Sequence, residues 1–202
     1  MMADRRLRPF GVFDAKVLAA FDAVPRERFV AKEFVSVAYA DTPVRCAAGR
    51  RLLLAPLILG RMLQAAEIKP ADRALDVAGG SGYSACVLGR LAAEVTALES
   101  EALETPFELG DNVTRVVGPV TEGAKTKGPF DVIVINGVIE VASKALLEQL
   151  AEGGRLIALE RQGAAAQGVR YVRNGESVNR RLEFNASGPL LPEFAAPAGF
   201  VF

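Results

Sequence analysis

Three glycines within four positions, Gly79, Gly80 and Gly82, follow a short apolar run and precede helix-forming residues. A glycine-rich turn between a strand and a helix leaves backbone N–H groups pointing into a crevice, where a ligand can lie against the bare backbone. The next predicted strand ends at Glu99, whose carboxylate can accept hydrogen bonds from the hydroxyls of a ribose. This spacing predicts a site for an adenosine-containing cofactor.

Two classes of cofactor fit this arrangement. Residues 80–85, GSGYSA, satisfy the dinucleotide pattern G-x-G-x-x-A, so an NAD-dependent oxidoreductase is one hypothesis. Against it, no Tyr-x-x-x-Lys pair and no histidine for a hydride site follows the motif. The order of LDVAGGSGY, ALE, PFDVIVI and GGRLI along the chain favours S-adenosyl-L-methionine. A third interpretation is a tight strand–helix turn that binds no ligand.

The composition limits the chemistry that the rest of the chain could supply. The 202 residues include no histidine, which excludes Ser-His and Cys-His nucleophilic sites, histidine metal ligands and an imidazole base. The two cysteines, Cys46 and Cys86, show no paired spacing, as is usual in a reduced, cytoplasmic setting. We expect no metal site.

The charge balance limits the partners. Lys+Arg and Asp+Glu are equal at 24 each, which gives no electrostatic case for binding nucleic acid or an anionic membrane. No apolar run is long enough to span a membrane, and the start MMADRRLRPFGVF lacks the apolar core of a signal peptide. The sequence leaves the oligomeric state open.

Predicted strands and helices alternate over most of the chain. The predicted strands are residues 74–78, 94–99, 113–118, 129–137 and 155–160. The predicted helices are residues 14–24, 56–68, 84–93 and 142–154. Residues 168–175 and 177–187 predict a hairpin with Asn174-Gly175 as its turn.

This alternation is typical of a doubly wound α/β sheet. We expect a single domain over residues 1–202 that is Rossmann-like and mostly parallel. Residues 56–202 would form the cofactor-binding sheet with an antiparallel C-terminal edge, and residues 1–55 a helical addition that carries the substrate loop.

Five segments resemble the protein-L-isoaspartate O-methyltransferases in type and order. They are VLAAFDAVPRERFV, AYADTPV, KPADRALDVAGGSGYSACVLGRL, PFDVIVINGVIEVASKALLEQLAEGGRLI and LEFNASGPLLP. The resemblance implies the class I methyltransferase fold. It also implies a cytoplasmic repair enzyme that uses S-adenosyl-L-methionine to methylate the α-carboxyl of an isoaspartyl residue in a damaged protein or peptide.

The resemblance also assigns site residues. The cofactor-binding positions that match the family are Asp76, Gly79, Gly80, Ser81, Gly82, Glu99 and Asn136. Ile135 and Gly137 flank Asn136 where the family's fourth strand opens onto the reaction centre. Methyl transfer from a sulfonium to a carboxylate needs no general base, so a chain without histidine can catalyse it by positioning the reactants.

The substrate loop departs from the family's pattern. The family's Gly-x-Thr-x-Ser-x-Pro reads AAGRRLLLAP here, with no Ser or Thr between Gly49 and Pro56. Arg50 and Arg51 could hold a substrate carboxylate instead, since a guanidinium binds one through two parallel hydrogen bonds. The alternative is that both are solvated surface arginines.

Two further departures fall on the adenosine pocket. Pro119 stands where the family has an aspartate that contacts the adenine amino group, and proline can neither accept that hydrogen bond nor donate one from its nitrogen. Glu122 is a candidate replacement or a solvated loop acid. The segment from Glu99 to Asn112 is short and contains Pro106, so the family's helix over the adenine should be truncated.

These departures predict weak cofactor binding. We expect an enzyme whose isoaspartyl methylation is reduced or absent, and the alternative is a non-catalytic family member that acts as an interaction module.

Overall fold

Within residues 2–103 and 108–196, which the computed structural model describes, seven strands form one sheet. The strands are β3 Arg73–Val77, β4 Glu94–Glu99, β5 Val113–Val117, β6 Phe130–Ile139, β7 Leu150–Gln162, β8 Ala165–Asn174 and β9 Ser177–Ala186. They lie in the order β5-β4-β3-β6-β7-β8-β9. The strands from β3 to β7 pair in parallel, and β8 and β9 add an antiparallel edge.

The same described residues contain five α-helices. They are α1 Met2–Arg6, α2 Ala15–Ala23, α3 Pro56–Ala65, α4 Tyr83–Leu88 and α5 Lys144–Leu147. The Asp14 carboxylate caps α2 by accepting hydrogen bonds from the N–H groups of Lys16 and Val17. None of the described helices is long and apolar enough to cross a membrane.

Two apolar clusters cover the two faces of the sheet. Side chains alternate between the faces along each strand, so Val134 and Ile157 belong to the same cluster as Phe21 from α2, while Ile133 and Leu156 belong to the other cluster with Leu146 from α5. Burial on both faces explains the nearly continuous apolar runs of the central strands. The predicted doubly wound sheet with an antiparallel C-terminal edge is confirmed.

The helix predicted over residues 142–154 is wrong beyond Leu147. Leu150 is fully buried and pairs with Phe130, so the chain is already in strand β7 there. Gly154 lies so close to neighbouring backbone that a Cβ would be 2.8 Å from the carbonyl oxygen of Ala151. Gly154 therefore allows the backbones of Ala151 and Phe130 to lie close to its own backbone, and it does not mark the end of a helix.

Two other helices end earlier than predicted. The helix predicted over residues 56–68 ends at Ala65, and Glu67 then adopts a left-handed backbone with φ of 50°. The helix predicted over residues 84–93 ends at Leu88, where the Asn112 side-chain amide donates to carbonyls of the following turn, including that of Gly89. Long-range hydrogen bonds of this kind leave no local sequence signal.

The substrate loop forms a short hairpin. Strands β1 (Val44–Arg45) and β2 (Leu52–Leu53) pair antiparallel, so the segment between them is a compact turn beside the sheet. Pro106, on which the predicted truncation of the adenine helix rests, lies outside the described residues.

A buried arginine joins this loop to the start of α4. The Arg26 side chain is fully buried, and its Nε and Nη2 atoms donate to the carbonyls of Ala38 (2.7 Å) and Leu54 (2.8 Å). The guanidinium carbon lies 4.8 Å from the centre of the Tyr83 ring. One side chain thus fixes the end of the substrate loop against the helix that follows the glycines.

We expect Arg26→Ala to lower the free energy of unfolding by about 2–6 kcal/mol, because it leaves two buried carbonyls without donors at about 1–3 kcal/mol each. Urea denaturation measures this. Arg50→Ala, which removes an exposed side chain, should change it by less than about 0.5 kcal/mol. An equal decrease in the free energy of unfolding of the two variants would contradict the role assigned to Arg26.

Candidate active site

The glycine turn connects β3 to α4 at the carboxyl edge of the sheet. A side chain at Gly79 would overlap the Asp76 carboxylate, and one at Gly80 would overlap the thiol of Cys46. Gly82 has a φ of 97°, which side-chain-bearing residues rarely adopt. Packing within the protein and the backbone conformation therefore require glycine at these positions, in addition to any requirement of a ligand.

Asp76 and Asn136 come together below this turn. The buried Asp76 carboxylate accepts hydrogen bonds from Asn136 Nδ2 (2.7 Å) and Ser84 Oγ (2.8 Å), and Asn136 also donates to the Val77 carbonyl (3.0 Å). Burial raises the pKa of Asp76 to about 7, even though both hydrogen bonds favour the charged form. The carboxyl joins β3, β6 and α4.

Ser81 points away from the cavity beside the glycines. Its hydroxyl is buried and donates to the Phe29 carbonyl at 2.6 Å. It therefore anchors the glycine turn to the N-terminal segment.

Glu99 lies at the end of β4, beside the glycine turn. Its Oε1 atom accepts from the Gly80 N–H at 2.6 Å, and its Oε2 atom accepts from the Ser100 N–H at 3.3 Å. Arg51 Nε lies 3.1 Å and 2.9 Å from the two oxygens. Each carboxylate oxygen is thus shared between a backbone donor and the same guanidinium.

Arg51 also contacts residues 189–196, the C-terminal segment. Its Nη2 atom donates to Glu193 Oε1 at 2.9 Å and to Ser100 Oγ at 3.4 Å. Burial favours the neutral form of Arg51, but the hydrogen bonds with Glu193 and Glu99 outweigh it and raise the pKa of the guanidinium. Arg51 is therefore a paired, mostly buried group rather than a solvated surface arginine.

Arg50 differs from its neighbour. It is exposed and makes no ion pair with any residue in the described ranges. Arg50 and Arg51 both line a groove of about 420 Å³. The other residues that line this groove are Leu52, Ser100, Glu101, Pro189, Leu190, Leu191, Pro192 and Glu193.

The C-terminal segment covers the end of β6. Leu191 packs on Gly137, where a Cβ would come within 2.6 Å of the leucine Cγ. The Val138 N–H donates to the Pro189 carbonyl (2.7 Å), and the Leu191 N–H donates to the Val138 carbonyl (2.8 Å). Ile135 lies in the buried apolar cluster. The strand end predicted to open onto the reaction centre is thus bounded by this segment.

A smaller cavity of about 150 Å³ lies between the glycine turn and the ends of β4 and β5. Most of its lining is apolar: Ala97, Leu98, Ala102, Leu103, Leu109, Val116 and Val117. The three glycines and the charged residues Asp76, Glu99, Glu101 and Arg115 complete it. Neither Pro119 nor Glu122 lines it, and the Glu122 side chain is exposed. Apolar walls next to a carboxylate have the chemical character that an adenine ring and its ribose require.

Sequence reasoning missed Glu193. It lies 142 positions from Arg51, so no local spacing connects the two residues. Within the described ranges, no cluster of three or more Cys, Asp or Glu side chains could hold a metal ion, and both cysteines are buried free thiols.

Comparison with known proteins decides the family. The model of the family "Protein-L-isoaspartate(D-aspartate) O-methyltransferase (PCMT)" matches residues 4–183. The chain belongs to this family. The family depends on S-adenosyl-L-methionine, and nothing in the comparisons favours an NAD-dependent oxidoreductase or a non-catalytic interaction module.

Relatives match over most of their length. The chain is 40% identical over 163 residues to the protein-L-isoaspartate O-methyltransferase of Koribacter versatilis, covering 77% of this chain and 73% of that protein. It is 32% identical over 198 residues to the enzyme of Protochlamydia amoebophila, covering 95% and 94% of the two chains.

Solved structures confirm the class I methyltransferase fold. A protein-L-isoaspartate O-methyltransferase superposes with a TM-score of 0.79 at 20% identity, covering 96% of this chain and 67% of that chain. A putative Plasmodium falciparum protein-L-isoaspartate O-methyltransferase in complex with S-adenosyl-L-homocysteine superposes with a TM-score of 0.75 at 20% identity, covering 95% and 97%.

We expect the raised pKa of Asp76 to make stability depend on pH. An unfolded Asp76 loses its proton near its ordinary value of 3.8, whereas the folded carboxyl keeps it up to about 7. The free energy of unfolding should therefore fall, through this group, as the pH rises from about 4 to about 7, and stay lowered above that.

Urea denaturation of the wild type and Asp76→Asn between pH 4 and pH 8 measures this effect. The Asn variant should lack that part of the fall, whereas Asp41→Asn, at an exposed position, should follow the wild type. Parallel curves for the wild type and Asp76→Asn would refute the raised pKa.

Proposed function

We propose that this protein transfers the methyl group of S-adenosyl-L-methionine to the α-carboxyl of isoaspartyl residues in damaged protein. The single observation that carries the proposal is the Glu99 carboxylate, which lies beside the Gly80 N–H and an apolar cavity in a chain of this family. S-adenosyl-L-methionine supplies an activated methyl group bound to a sulfonium.

The residues of the small cavity would hold this cofactor. Glu99 would accept hydrogen bonds from the ribose hydroxyls, and the apolar walls formed by Leu98, Leu109 and Val117 would contact the adenine. Asp76 and Asn136 would keep the glycine turn in place through their buried hydrogen bond.

The groove beside Arg50 and Arg51 would hold the acceptor. A carboxylate oxygen is already nucleophilic at neutral pH, so it would accept the methyl group that the sulfonium supplies, and no residue has to remove a proton. The two arginines would orient that carboxylate in place of the family's loop hydroxyls.

The departures from the family's pattern should slow the reaction. Misplacement of the reactants by about 1 Å can cost about 100-fold in rate. An adenine amino group buried without a partner costs about 1–3 kcal/mol, or roughly 5- to 150-fold in affinity. We therefore propose turnover below the level that the family's hydroxyl-bearing loop supports.

We further propose that residues 1–55 supply the acceptor side of the site and residues 56–202 the cofactor side of a single domain. The protein would act on protein or peptide substrates, without a nucleic-acid or membrane partner, because its charges are balanced. We propose the cytoplasm as its location because both of its cysteines are free thiols.

S-adenosyl-L-homocysteine at millimolar concentration should raise the melting temperature, and NADH should not. Stabilisation grows as RT ln(1 + [L]/Kd), so even a weak site responds at about ten times Kd. Gly80→Val should abolish the shift, because its side chain would crowd Cys46 and displace the turn. A shift with NADH alone would contradict the choice of cofactor.

Transfer of a radiolabelled methyl group to an isoaspartyl peptide, but not to the matched aspartyl peptide, tests the reaction. Arg50→Ala should lower kcat/KM by about tenfold, the loss of one charged hydrogen bond. Arg181→Ala, on the exposed side of β9, serves as the control. Equal methylation of both peptides would contradict the substrate class. An unchanged kcat/KM in the Arg50→Ala variant would contradict the contact between Arg50 and the acceptor.

A further inference from the structure

The groove proposed to hold the acceptor contains a carboxylate of the protein itself. Glu193 lies in a single turn of 3-10 helix, Pro192–Phe194, and its Oε1 atom accepts from Arg51 Nη2 at 2.9 Å. Both residues line the groove, with side chains that are 13% (Arg51) and 33% (Glu193) exposed.

The guanidinium of Arg51 has two sides with different partners. Its Nε atom donates to the Glu99 carboxylate, on the cofactor side. Its Nη2 atom donates to Glu193 and to Ser100, and Nη1 has no hydrogen-bond partner in the described ranges. Because a guanidinium binds an incoming carboxylate best through two N–H groups, the edge with Nη1 and Nη2 is the one that an acceptor would use.

Hydrogen bonds of the C-terminal segment hold Glu193 beside that edge of the guanidinium. On one side of Glu193, Leu191 is hydrogen-bonded to Val138. On the other side, the Phe194 carbonyl accepts from the N–H of Glu140, whose carboxylate accepts from the Ala196 N–H at 2.8 Å. The segment is therefore tied to the end of β6 on both sides of the acid.

Glu193 is charged at neutral pH. Burial opposes its ionisation, but the hydrogen bond from Arg51, a backbone hydrogen bond and the positive charge of Arg51 together outweigh this effect and lower the pKa of the carboxyl. An anion of the same chemical type as the acceptor thus lies on the guanidinium.

We propose that Glu193 occupies the place of the acceptor carboxylate on Arg51, so that a substrate must displace it. This inference rests on the proposed function for the class of acceptor, a peptide carboxylate. Glu193 then determines specificity: a carboxylate that gains only one contact cannot compete with it, whereas an acceptor that also reaches Arg50 can.

Glu193→Gln tests the proposal directly. The amide keeps the shape of the side chain but loses the charge, and charge-assisted hydrogen bonds are about twice as strong as neutral ones. A fluorescein-labelled isoaspartyl peptide, titrated by anisotropy with S-adenosyl-L-homocysteine present, should bind the variant about fivefold more tightly than the wild type. KM should fall by the same factor while kcat changes less.

Glu140→Gln is the matched control. It also exchanges an acid for an amide and loosens the same segment, but it acts on Arg161 and Ala196 rather than on Arg51. Its peptide affinity should stay at the wild-type level. In the Arg51→Gln background, Glu193→Gln should add no further gain. A melting temperature for each variant shows that it is folded.

Unchanged or weaker binding by folded Glu193→Gln, or an equal gain in Glu140→Gln, would overturn the proposal. The proposed function fails separately. If Glu193→Gln binds the peptide more tightly while neither protein transfers a methyl group to it, the displacement stands and the assigned reaction does not.

Discussion

The Glu99 carboxylate is the group on which the site depends. It receives hydrogen bonds from the glycine turn through Gly80, from its own strand end through Ser100 and from the substrate loop through Arg51. The guanidinium extends the contact to Glu193 and so to the C-terminal segment. Four separate stretches of the chain therefore take their relative positions from one ionised side chain and its partner.

This arrangement places the cofactor side and the acceptor side in direct contact. An ionised carboxylate offers about four hydrogen-bonding positions, and protein donors already use both oxygens of Glu99. A ribose that binds there must share Glu99 with Arg51. The proposed cofactor and acceptor sites thus share Arg51, and a change at either affects the other.

The sheet could be predicted from the sequence because its signal is local. Short runs rich in apolar residues predict β3, which ends at Val77, and β4, which ends at Glu99. The glycine turn between strand and helix predicts the cofactor edge, and none of these predictions needs distant contacts. The region around Leu146 and Leu150 could not be assigned in this way. Its apolar spacing fits a helix, and only pairing with Phe130 makes the second leucine part of a strand.

The site was predicted in part for the same reason. The glycines and Glu99 follow from their positions at strand ends and Asp76 from the resemblance to the family, and the structure brings them together around one cavity. The pairing of Arg51 with Glu193 depends on how the end of the chain returns to the sheet, which no spacing encodes. The exposed Arg50 and the ion-paired, partly buried Arg51 are neighbours in sequence, yet only tertiary contacts distinguish them.

Binding of S-adenosyl-L-homocysteine to Glu99→Gln, measured by isothermal titration calorimetry beside the wild type, tests the central claim most directly. The variant keeps the size of the side chain but loses the anion that would accept the ribose hydroxyls. The account predicts a Kd raised by about 10- to 100-fold, the loss of one or two charged hydrogen bonds. A folded Glu99→Gln protein that binds as tightly as the wild type would contradict it.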